Sequence, residues 1–227
     1  MGRRGTRSHR LGAELTTFFF LAGFSVAAAY GQSDTNTVRF RWAFVAYPDP
    51  AARRPSTPIV VDRDTTLSSG DEFKLLVNPL SRCYAYVFWL DSKGVLEVLF
   101  PSTAGQFETE WVLGQNYELP EGKKRFKLDE AKGQEVLHVL VSRARLRPLD
   151  RLIDLLRTVE DSGRRSLQRK ILNEIRDVKR RSGAQGIFAE RPATIAGTVR
   201  DPEDIERFAV EFEGESFYSK AYLIKHR

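Results

Sequence analysis

Three patterns of apolar and polar residues succeed one another along the chain. From Val38 to Tyr47 they alternate: Val38, Phe40, Trp42 and Phe44 fall on one face, Arg39 and Arg41 on the other. That predicts a first strand with one wet side. Leu67 to Ser102 (LSSGDEFKLLVNPLSRCYAYVFWLDSKGVLEVLFPS) then reads as three strands and two turns. Phe73, Leu75 and Val77 alternate after the turn residues Ser68 to Asp71, and Asn78-Pro79 breaks the strand. Asp91 to Gly94 predicts a four-residue hairpin turn, with Gly94 able to take a positive φ. The middle strand, Cys83 to Leu90, is apolar on both faces and is expected at the centre of the core, covered above and below.

A looser β region is expected from Phe107 to Leu113 and Gln115 to Leu119, then a tight turn at 120–123 and a short strand from Arg125 to Leu128. Glu135 to Ser142 is a strong strand. The period then changes. Leu152, Leu155, Leu156 and Val159 recur at helical spacing after Pro148, Gly163 interrupts, and Leu167, Ile171, Leu172, Ile175 and Val178 carry a second amphipathic helix. Residues 183–203 read as an irregular connection. Phe208, Val210 and Phe212, a turn at Gly214, and Phe217 to Ile224 predict a final β-hairpin. The expected fold is mainly β with an α-helical hairpin (α+β): an immunoglobulin-like or related antiparallel β-sandwich, with two helices inserted before the final β-hairpin. The sandwich takes residues 32–147 and 204–227, and the helical hairpin takes 148–182.

The first 31 residues have a different character. Arg3, Arg4, Arg7 and Arg10 precede the apolar run Leu15 to Ala29, and Ala29 and Gly31 suit cleavage before Gln32. This is the pattern of a secretory signal peptide, with an uncleaved N-terminal anchor as the alternative. The expected location is therefore periplasmic or extracellular, and no later stretch is long and apolar enough to span a membrane. Removing 1–31 takes four of 36 basic and one of 30 acidic residues, so the net charge falls from +6 to +3. About 196 residues remain, enough for one domain with a core. The lone Cys83 excludes a disulfide framework and reads as a buried small hydrophobe.

Catalytic patterns are absent. After residue 31 the only histidines are His138 and His226. No HExxH, paired cysteine, GxSxG elbow or phosphate loop occurs, so no cofactor or metal site is expected. Carboxylates that pair only in space leave a hydrolase as the alternative class, with Asp71, Asp91, Glu97, Glu108 and Glu110 as generic candidates.

Ser69-Gly70-Asp71-Glu72-Phe73, Cys83-Tyr84-Ala85-Tyr86-Val87, Lys93-Gly94-Val95 leading to Leu99-Phe100-Pro101, and Gly133-Gln134-Glu135 before Val136 to Ser142 occur in an order that resembles the bacterial family called domain of unknown function 4384. The resemblance covers about residues 60–145. It implies an exported or envelope β-domain and brings no assigned activity. Physically these positions are turn and strand-end residues, which hold a fold together.

Charge singles out the second helix. Between residues 164 and 181 stand Arg164, Arg165, Arg169, Lys170, Arg176, Lys179, Arg180 and Arg181 against Glu174 and Asp177 alone. This is a basic ridge on a mildly acidic body, suited to anionic lipid, polymer or an acidic envelope protein. Nucleic acid is disfavoured because no aromatic residue interleaves the charges. The plain alternative is a solvated face with Lys170–Glu174 and Asp177–Arg181 as i,i+4 pairs. Tyr84, Tyr86 and Phe88 share a strand face, read as a helix-docking surface with a ligand-stacking platform as the alternative. The expected function is a non-enzymatic binding or protein-interaction module of the bacterial envelope, and the alternative is an envelope glycan hydrolase.

Overall fold

A computed structural model describes residues 37–51, 57–182, 188–192 and 204–227. The leader, the proposed cleavage site and most of the 183–203 connection lie outside the described residues. The first half contains strands β1 (Thr37–Tyr47), β2 (Ile59–Val60), β3 (Thr65–Leu67), β4 (Glu72–Pro79), β5 (Tyr84–Leu90) and β6 (Leu96–Phe100). Next come the one-turn helix α1 (Gln106–Thr109) and strands β7 (Tyr117–Leu119), β8 (Phe126–Lys127) and β9 (Gly133–Ser142). Helices α2 (Arg147–Thr158) and α3 (Asp161–Arg181) precede β10 (Ala189–Pro192), a 3-10 turn at Ile205–Phe208, β11 (Val210–Glu215) and β12 (Phe217–His226).

The strands form two sheets. One has the order β10-β11-β1-β4-β7, with β2 on β1 and β8 on β4; the other has the order β3-β12-β9-β5-β6. All ladders are antiparallel except β3–β12. Alternation decides which side chains meet. Val38, Phe40, Trp42 and Phe44 of β1 face Val87 and Trp89 of β5, Leu137 and Val139 of β9, and Tyr222 of β12 in a single inter-sheet core. Trp42 Nε1 donates across it to the Tyr222 hydroxyl at 2.9 Å. The opposite faces of β5 and β9 send Tyr86, Phe88 and Leu140 against Leu149, Ile153 and Leu156 of α2 and Ile171, Ile175 and Val178 of α3. Burying each such side chain contributes about 1.5–3 kcal/mol, and a 12-residue helix is marginal without it. The structure is thus a β-sandwich with a helical layer on one sheet.

Several expectations are corrected. β5 is covered above and below as expected, by the other sheet and by the helices, but within its own sheet it lies next to the edge strand β6, and β9 is central. The stretch from Phe107 to Leu113 is not β: α1 turns it, and Phe107 from that turn and Trp111 from the loop after it pack on the core. The helices break at Val159–Glu160, and Gly163 lies inside the first turn of α3. The 183–203 connection holds β10, which pairs with β11. The final hairpin does not exist, because β11 belongs to one sheet and β12 to the other. The corner between them is Ser216, at φ 29°, while Gly214 sits within β11. A Cβ on Gly214 would lie 2.7 Å from the Phe188 ring, so glycine serves packing there instead of a turn.

The helical layer is fastened by polar contacts as well. The Tyr86 hydroxyl donates to Asp150 Oδ1 at 2.9 Å and accepts from the Leu146 amide at 3.0 Å, at the start of α2. Arg145 binds the other Asp150 oxygen at 2.5 Å. Tyr86→Phe is expected to cost about 1–3 kcal/mol, since a buried carboxylate and an amide each lose a partner. Urea denaturation measures it, and an unchanged midpoint would count against the network.

Candidate functional site

Seven of the eight ridge residues are exposed, because α3 turns Ile171, Ile175 and Val178 inward and leaves the other arc to water. At 100° per residue, Arg165, Arg169, Arg176 and Arg180 fall within about 60° of one another, forming a row about 22 Å long. Arg165 and Arg169 face no carboxylate within ion-pair distance among the described residues. Arg176 bonds Asn173 beside the row, and Arg180 bonds Asp177 at 3.0 Å. Arg181 pairs with Glu174 at 2.6 Å, so the expected i,i+4 partners are replaced by i,i+3 and i,i+7 ones. Arg164 lies apart and reaches the Leu156 carbonyl at the end of α2 at 3.5 Å.

Lys179 leaves the ridge altogether. It is half-buried between α3 and the sheet, where desolvation holds its amine below the usual lysine range. It acts on His138 of β9, whose Nδ1 is buried without a hydrogen-bond partner among the described residues. Burial first, and the Lys179 charge second, push the His138 imidazole down to about 4. His138 is therefore neutral at pH 7.

A constellation missed in the sequence lies at one end of the inter-sheet core. His226 Nδ1 is 2.7 Å from Glu135 Oε1, and His226 Nε2 is 3.1 Å from Ser69 Oγ. Serine, histidine and carboxylate in that order are the parts of an activated nucleophile. Here the imidazole is fully buried, and the nearby amides are engaged: Ser69 N donates to the Arg227 carbonyl, Gly70 N to Leu128 and Asp71 N to Ser68. An oxyanion needs free donors beside the nucleophile, and these are taken. The relay fastens the β3–β4 turn to β9 and β12. Its members are 66 and 91 residues away from one another in turn, and the inward parity of His226 with Tyr222 and Ile224 was the one trace in the sequence.

The generic carboxylates serve separate purposes. Asp71 accepts from the Asp49 and Ser68 amides, Asp91 from Lys93 and Val95 in the hairpin, and Glu108 pairs with Arg145. Glu97 and Glu110 are exposed. A mixed-charge cleft of about 380 Å³ brings Glu118 and Glu206 together with Lys74, Lys123 and Arg125. Lys74 is bound to Glu118 and the Gly122 carbonyl, and Glu206 accepts from Asn116. Desolvation, then Asp204 and Glu118, hold the Glu206 carboxyl above its usual range. No group of three His, Cys, Asp or Glu is placed to hold a metal among the described residues. Tyr86 and Phe88 are buried beneath the helices and Tyr84 packs partly against the same cluster, so this face docks α2 and α3. Burial pushes the Cys83 thiol up to about 12, which makes it an inert packing group.

Residues 66–145, which carry Ser69, Glu135 and the β4–β5–β6 core, match the family described as Domain of unknown function (DUF4384). No curated protein and no solved structure gives a significant match to the chain. No helix among the described residues is long and apolar enough to cross a membrane.

Proposed function

Starting from a chain whose residues 66–145 belong to the family Domain of unknown function (DUF4384), we propose an exported, non-enzymatic binding module of the bacterial cell envelope. In this reading α3 presents the basic ridge to an anionic polymer, lipid surface or acidic protein. The observation that carries it is the row Arg165, Arg169, Arg176 and Arg180, held open on a rigidly docked helix with two members facing no carboxylate among the described residues. Export draws its support from the arginine-led apolar leader. The non-enzymatic reading is supported by the closed Ser69–His226–Glu135 relay, whose neighbouring amides are all engaged.

The test compares wild type with Arg176→Glu/Arg180→Glu for retention of components from envelope extract, across a salt series. Both proteins should fold alike, and only the wild type should retain an anionic component, releasing it as salt screens charges beyond about 8 Å. Equal retention, or retention that survives high salt, would remove the ridge from the function. Fractionation with N-terminal sequencing checks export; a cytoplasmic protein retaining Met1 would refute it.

A second reading, an envelope glycan hydrolase, is supported by one place, the Glu118–Glu206 cleft, where one carboxyl has a raised pKa beside another. Both carboxylates are already engaged by Lys74 and Asn116, which weakens it. Glycan turnover lost in Glu206→Gln would establish the second reading over the first.

A further inference from the structure

We propose that the arginine row of α3 is a site for a linear phosphate-bearing polyanion, laid lengthwise along the helix. This rests on the anion-binding reading above and narrows it to one ligand chemistry. The first ground is residue type. All four positions of the row are arginine, while the two lysines of the helix lie elsewhere: Lys170 on the flank and Lys179 turned toward His138. A guanidinium presents a planar fork that meets two oxygens of one phosphate, whereas an ammonium acts as a point charge.

Shape is the second ground. The row is one side chain wide, with axial steps of about 6, 10 and 6 Å between successive arginines. A flexible chain with a charge on every unit can meet unequal steps along a line. An acidic helix would need its carboxylates in the same uneven register.

The third ground is what the open face lacks. None of the large apolar side chains exposed in this structure lies on α3, because its apolar stripe is consumed against Tyr86, Phe88 and Leu140. With nothing to insert between lipid tails, the helix cannot bind a bilayer as an amphipathic one does. No aromatic ring lies in the row to stack on a base, so the phosphates themselves are what it can grip. Asn173, between Arg169 and Arg176, already orients the Arg176 guanidinium.

The experiment titrates the whole protein with inorganic polyphosphate, with poly-glutamate of equal length and with phosphatidylglycerol vesicles, each at several salt concentrations. Polyphosphate should bind best, with a log–log salt slope near −3 for about four phosphates. Replacing Arg165, Arg169, Arg176 and Arg180 by lysine keeps the charge and should weaken binding about tenfold. Four glutamates at these positions should abolish it. Equal affinity of the lysine variant, or poly-glutamate or vesicles bound as tightly as polyphosphate, would overturn the phosphate assignment and leave the basic, anion-binding ridge standing. Failure of wild type to bind any of the three probes would overturn both.

Discussion

Replacing Glu135 or His226 alone by leucine is expected to lower the stability of the fold by about 3–5 kcal/mol. The pair joins β9 to β12 at 2.7 Å, and neither side chain has more than 4% of its surface in water. Leucine at Glu135 strands the His226 ring nitrogen in the core. Leucine at His226 takes the imidazole from a carboxyl that burial already holds above its usual range, leaving it the Trp89 contact alone. Each single change thus leaves a buried polar group without its ion-pair partner, with only Ser69 still on the imidazole or Trp89 still on the carboxyl, which is costlier than losing an exposed hydrogen bond. Removing both together should restore most of the loss, since apolar groups can replace a matched buried pair at little net cost. Urea denaturation of the two single variants and the double variant measures this coupling. Losses that simply add would show that the two side chains do not act as a pair. Ser69→Ala should cost only about 1 kcal/mol, since it removes one half-buried contact to Nε2.

Acidification should weaken the protein through His138. Its folded pKa is depressed from 6.5 to about 4, so the unfolded chain binds a proton through that window while the native one does not. Stability is therefore full above pH 6.5 and is lost as pH falls toward 4, by about 3 kcal/mol for this group. The shift at Glu135 has the opposite sign: a carboxyl raised by burial favours the native state as it takes up its proton. The clean measurement is the difference between wild type and His138→Leu across pH 4 to 7. Leucine fits a half-buried β9 position beneath α3 and carries no titration, so its profile should be flatter by that amount. Parallel profiles would mean that His138 is protonated at its ordinary pH in the folded chain.

Several elements were legible because their signal is local. The alternation of Val38, Phe40, Trp42 and Phe44 marked the inward face of β1, and the turn at Asp91–Gly94 has Gly94 at φ 79° as expected. Tyr86 and Phe88 were read as a helix-docking face, and α2 and α3 cover them. The failures share another cause. Burial on both faces of β5 suits any strand with layers on both sides, so its place next to an edge was not in the pattern. Val210 to Ile224 reads as a hairpin because the corner at Ser216 changes sheet without changing the alternation. The site divides in the same way. Eight basic residues could be counted, but whether each reached water depended on helical phase and on what α3 packs against. That is why Lys179 drops out and four arginines line up.

Composition and period determined that this chain makes β-strands followed by two amphipathic helices, because each element's apolar face is written in its own neighbouring residues. Which faces meet was decided by the tertiary structure. The division of β11 and β12 between two sheets, the Glu135–His226–Ser69 relay and the burial of His138 beneath Lys179 all depend on contacts between distant residues. Such contacts form only where packing excludes water, and alternation along a strand records only that a face is buried, never which residue lies across from it.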